Sequence, residues 1–117
     1  MNCIDIYGNV CPTLYTLNLI HGKWRLPILW KLSNKKTLRF NELKKEVTGI
    51  TNIMLTQCLK ELETAHIITR RQYDVIPPRV EYSLTEEGIQ LIQCLTEMEQ
   101  FGTQLLTKYP KLKDSCY

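Results

Sequence analysis

Five side chains, Asn52, Ile53, Thr56, Gln57 and Lys60, recur at the spacing that places residues on one side of a helix. A solvated helix face is usually rich in Lys and Glu, but this one begins with amide and hydroxyl groups. Asn and Gln suit adenine in the major groove, Thr donates or accepts, and Ile53 or the Thr56 methyl can touch a thymine methyl. Thr51, just ahead, is a good N-cap that can also touch phosphate. Basic residues flank the strip: Lys44 and Lys45 before it, Arg70, Arg71 and Arg79 after it. With Lys60 they can reach phosphates. A polar surface on an ordinary helical hairpin fits the strip equally well when it is taken alone.

The elements around the strip decide between these readings. Thr51 to Ala65 is predicted as a helix whose other face holds Met54, Leu55, Cys58, Leu59 and Leu62. Before it, Phe40 to Val47 is a short helix, apolar at Phe40, Leu43 and Val47. Thr48-Gly49-Ile50 breaks the two, with Gly49 free to take positive φ. Ile50 and Leu55 have hydrophobic-staple spacing. Two short helices around a Gly-containing turn form a helix-turn-helix, whose second helix can lie in a major groove. Two β-rich runs come next, 67–73 and 79–84, with the proline-stiffened Asp74-Val75-Ile76-Pro77-Pro78 between them. A basic hairpin straight after such a helix is a wing, able to lay arginines on the phosphate backbone or in the minor groove.

The chain of 117 residues makes one domain. Residues 1–10 read as a flexible arm. A helix runs from Pro12 to about residue 21, with Leu14, Leu17 and Ile20 apolar and Cys11 at its N-cap. His21-Gly22 stops it, Arg25 to Leu32 is a second helix, and Thr37-Leu38-Arg39 can add a third strand beside the wing. A long helix opens at Thr85, with Glu86 and Glu87 against the positive end of its dipole. No nucleophile, histidine or metal ligand accompanies that carboxylate pair, so acid–base catalysis is a poor reading of it. Ile89, Leu91, Ile92, Leu95, Met98, Phe101, Leu105 and Leu106 make an apolar face too wide for a helix half in water, which implies a second copy of the chain packed there and against the first helix. Residues 39–84 are the helix-turn-helix and wing, 12–21 and 85–107 the dimerisation helices, and 108–117 a frayed tail.

Charge is divided in the same way. His21 to Val80 holds 12 Lys/Arg against 5 Asp/Glu, a net +7, so the rest of the chain carries −4 of the total +3. Five cysteines at wide spacing, Cys3, Cys11, Cys58, Cys94 and Cys116, match neither a disulfide framework nor a zinc site, and no cofactor is expected. Cys58 and Cys94 read as packing residues, whereas Cys3 and Cys116 could pair with Cys11 or with another chain. A thiol at a helix N-cap is favoured as thiolate, so Cys11 is the candidate reactive cysteine, with a small packed N-cap as the plain alternative. There is no phosphate loop or triad spacing and no run of 18 apolar residues, so neither an enzyme nor a membrane protein is expected. With no basic and apolar leader at its start, the protein is expected in the cytoplasm.

The residues also resemble a known family, the HxlR-type regulators, which are MarR-like winged-helix proteins. The likeness rests on Cys11-Pro12, Gly22-Lys23-Trp24 with Ile28-Leu29-Trp30, the run RFNEL from Arg39, GIT with MLTQ and LKELE through Glu63, and PPRVEYSLTEEG from Pro77 to Gly88. It implies a mainly α winged helix-turn-helix fold with a small hairpin wing, and a homodimer on double-stranded operator DNA. Several such regulators carry a sensing cysteine just before the same proline and answer to oxidants or electrophiles such as quinones, aldehydes or hypochlorite. The family pattern often has a basic residue where Ile53 stands. A winged-helix protein–protein module, keeping the fold without reading DNA, is the competing expectation.

Overall fold

The computed structural model describes residues 11–115; the arm expected over 1–10, with Cys3, and the end carrying Cys116 lie outside them. Helix α1 spans Pro12–Leu19, with Cys11 as its extended N-cap and a proline in the first turn. It ends two residues short of expectation. None of its side chains is fully buried, and Leu19 at its end packs half-buried against the core. Gly22 turns the chain at φ +98°, and α2 spans Arg25–Asn34. The strand β1, Leu38–Arg39, leads directly into α3, Phe40–Glu46. Glu42 Oε1 accepts the backbone N–H of Arg39 at 2.8 Å, satisfying a donor at the start of α3.

Gly49 at φ +89° makes the turn into α4, Asn52–Thr64. Thr51 caps it as expected, its Oγ1 accepting from the Met54 N–H at 3.1 Å. Two strands come next, β2 (Ile68–Tyr73) and β3 (Arg79–Leu84), then α5 over Glu86–Lys108. The sheet is antiparallel in the order β1-β3-β2. The third strand expected beside the wing is therefore present.

One core joins these pieces. Ile28, Leu29 and Leu32 from α2 meet Leu43 from α3, Leu55, Leu59 and Leu62 from α4, and Leu38, Ile68 and Tyr82 from the sheet. Fully burying a Leu or Ile contributes roughly 1.5–3 kcal/mol, so these side chains fix the angle at which α4 stands on the sheet. Alternation along the strands then sends Arg39, Arg71, Tyr73, Arg79 and Glu81 to the face opposite Leu38, Ile68 and Tyr82.

The joint between α4 and α5 is closely made. His66, at φ +63°, ends the α4 turn. The Thr85 hydroxyl donates to the His66 carbonyl at 2.6 Å and accepts the Gly88 N–H at 2.9 Å. Gly88 packs so closely that a Cβ there would lie 2.2 Å from the Ile67 carbonyl oxygen.

Three expectations need correction. Met54 is not part of the inner face of α4 but 36% exposed, because Leu55, Cys58, Leu59 and Leu62 alone fill the width facing the core. Cys94 is exposed on the chain rather than packed. The stretch read as a frayed tail is wound over Pro110–Ser115 into a 3-10 helix, whose i→i+3 bonds need no proline N–H.

Candidate nucleic-acid interface

The α4 strip is presented as the spacing implied. Asn52, Ile53, Thr56, Gln57 and Lys60 are all exposed and line one shallow concavity. Ile53 is the most prominent, an apolar side chain 81% exposed at the start of the helix. No core demand explains it there, whereas a thymine methyl would cover it. Thr51 is exposed beside it, though its hydroxyl is already engaged by the helix.

The flanking cations divide into free and occupied groups. Among the described residues, Lys44, Lys45, Lys60 and Arg70 make no ion pair. Lys31 and Lys35 do, at 3.5 and 3.3 Å from Glu46. The hydrogen bond and charge of Lys35, with the charge of Lys31, hold the Glu46 carboxyl below its ordinary pKa. Those two lysines are thereby taken up within the protein.

On the wing, the guanidinium carbons of Arg71 and Arg79 lie 4.7 and 4.3 Å from the Tyr73 ring centre, distances at which a cation is attracted to the ring face. Arg79 Nε is buried without a hydrogen bond, 3.8 Å from Glu81. Arg79 is thus partly committed to the wing's own structure, while Arg70 and Arg71 are exposed. At the wing tip Ile76 is fully exposed, next to Val75, Pro77 and Pro78.

The structure adds residues that sequence reasoning missed. A cleft of about 190 Å³ opens between the α1–α2 loop and α4, lined among others by His21, Lys23, Trp24, Met54, Gln57 and Cys58. Lys23 Nζ sits 4.7 Å over the Trp24 ring. Along the cleft, Gln57 Nε2 donates to Glu61 Oε1 at 3.1 Å, Arg25 pairs with Glu61 Oε2, and Arg25 Nη1 donates to the Asn18 carbonyl at 2.7 Å. The Gln57–Glu61 contact has the i, i+4 helix spacing, which could have revealed it. Nothing in the sequence signals the pairing of Arg25 with Glu61.

The cysteines differ in their surroundings. Cys58 is a free, buried thiol pushed to higher pKa by that burial, with Arg25 opposing the shift. Cys11 is buried at the α1 N-cap and is disulfide-bonded. Among the described residues, no group of three or more His, Cys, Asp or Glu could hold a metal ion, and no helix is long and apolar enough to cross a membrane.

Known proteins are similar to this chain in sequence and fold. Residues 19–110 match the HxlR-like helix-turn-helix family. A protein of Fusobacterium mortiferum named as a regulatory protein, MalR, is 44% identical over 94 residues, which cover 80% of this chain and 89% of that one. The reduced form of the redox regulator HypR superposes with a TM-score of 0.74 at 38% identity, covering 84% of this chain and 99% of that one. The reduced form of the transcriptional regulator YodB from B. subtilis gives 0.73 at 31% identity, covering 81% and 93%.

Proposed function

The chain belongs to the HxlR-like helix-turn-helix family and is a transcriptional regulator of the winged-helix type; from that premise we propose that it binds a palindromic operator in double-stranded DNA as a homodimer. The observation that carries this reading is the exposed amide, hydroxyl and apolar strip on α4, flanked by Lys44, Lys45, Lys60 and Arg70, which no carboxylate among the described residues neutralises. Asn52, Ile53, Thr56 and Gln57 face base edges. Thr51, Lys44, Lys45, Lys60, Arg70, Arg71 and Arg79 face the phosphate backbone, and α1 with α5 forms the seam between subunits. As a reader of operator DNA, the protein acts in the cytoplasm.

The second part of the proposal is the signal. Cys11 is an oxidant or electrophile sensor at the N-terminus of α1. Its disulfide with a second cysteine forms as two thiols give up two protons and two electrons to the oxidant. The change moves α1, and with it the separation of the two reading helices. Support comes from the engaged state of Cys11 and from the similar structures of the redox regulator HypR and of YodB, the latter in diamide-treated and reduced forms.

The test of DNA reading compares two variants on a duplex carrying the DNA upstream of the protein's own gene and on random duplex. Arg70→Ala weakens binding to both and makes the salt dependence shallower by about one released counterion per lost contact. Gln57→Ala lowers discrimination by ~1–3 kcal/mol at the base pair it contacts. Binding that is independent of sequence and nearly flat in salt would point to the protein–protein module instead.

A further inference from the structure

We infer that Glu61, anchored by Arg25, is the positioning residue that fixes the orientation of the Gln57 amide and thereby the base that Gln57 selects. The inference rests on the proposal that Gln57 faces a base edge. A carboxylate has no proton to give, so Glu61 can only accept, and it does so from Gln57 Nε2 at 3.1 Å. That contact turns the nitrogen of the amide along the helix and leaves Oε1 with one remaining N–H for DNA. Glu61 cannot swing away freely, because Arg25 pairs with its other oxygen and is itself fastened to the Asn18 carbonyl at 2.7 Å. The chain of contacts therefore runs from the end of α1, through the start of α2, to the outer face of α4.

The consequence is selective. Adenine shows one donor and one acceptor in the major groove, which the constrained amide matches with one acceptor and one donor. Guanine shows two acceptors and finds only one N–H to meet them. An unconstrained amide can turn over and lose that distinction. Glu61 touches no DNA in this scheme and, being negative, opposes binding of any duplex. Its removal should therefore tighten general binding while blunting selection, a split that a merely structural role does not produce.

The experiment selects bound sequences from a randomised duplex pool with wild type, Gln57→Ala, Glu61→Ala, Glu61→Gln and the double variant Gln57→Ala/Glu61→Ala, each checked for folding by thermal melting. Wild type should enrich adenine at one position of each half-site, and Gln57→Ala should lose it. Glu61→Ala should lose it too, by about fivefold or more, the range a good bidentate contact spans, with the double variant no worse at that position. Glu61→Gln keeps the shape but can donate as well as accept, so adenine preference there should fall even if Glu61→Ala fails to fold. Retention of the wild-type preference at that position in the glutamate variants overturns the inference, as does an effect of Glu61→Ala that persists without Gln57. A wild type that enriches no sequence at all overturns instead the reading of α4 as a sequence-specific element.

Discussion

At the scale of single residues, Cys58 is held away from chemistry. Its raised pKa, from burial in the α4 inner face, means that less thiolate is present at neutral pH than for a free cysteine. Because the folded pKa lies above the unfolded one, the thiol's contribution to stability is complete below the unfolded value and is lost as pH rises through the folded one. Cys94, exposed on α5, has no such protection. In dilute protein, where single chains are present, N-ethylmaleimide at pH 7 should modify Cys94 first and Cys58 slower by roughly an order of magnitude, as mass spectrometry reads it, until denaturant is added. Equal rates in native buffer would mean that the α4 face opens spontaneously. The strip from Asn52 to Lys60 was legible in the sequence, since helical period and residue chemistry place it directly. The bond from Gln57 to Glu61 has the i, i+4 spacing of the same helical period, which makes it legible once both residues are placed on α4. The pairing of Arg25 with Glu61 joins residues 36 positions apart and exists only once the core has docked α2 on α4.

At the scale of elements, the sequence carried most of the fold because helix caps, glycine turns and apolar spacing are local signals. Thr51, Thr85, Gly22 and Gly49 each do what their types imply. The 3-10 winding of 110–115 had no such signal, because a proline that stops an α-helix leaves the conformation of the residues beyond it open. The contact of α5 with the start of the sheet was equally silent. At Gly88 an added methyl would meet the Ile67 carbonyl, a backbone atom that cannot swing aside as a side chain can. Gly88→Ala should therefore force α5 outward and cost about 1–3 kcal/mol, as overpacking does. Urea denaturation would register this as a lower midpoint, and an unchanged midpoint would show that α5 can shift without cost.

At the scale of the whole molecule, apolar surface remains that the single chain does not cover. Leu14 and Leu17 on α1, and Met98, Phe101 and Leu105 at i, i+3 and i+7 on α5, all stand exposed. Phe101, 65% exposed, is the largest of these side chains. Phe101→Glu should place a charge in the proposed seam and shift sedimentation equilibrium from twice 13.8 kDa toward the single-chain mass. A variant that stays dimeric would place the seam elsewhere. Association has a second face in this fold. In the order β1-β3-β2, the strand β2 is outermost among the described residues, and its outer margin offers backbone donors and acceptors to any other strand that meets it. Arg70 and Arg71 stand on that strand, so the charges proposed for phosphate also repel the same strand of a neighbouring molecule. Neutral substitutions there remove both effects at once and invite aggregation through the wing. Charge reversal to glutamate separates the two, abolishing attraction to DNA while keeping the strand guarded.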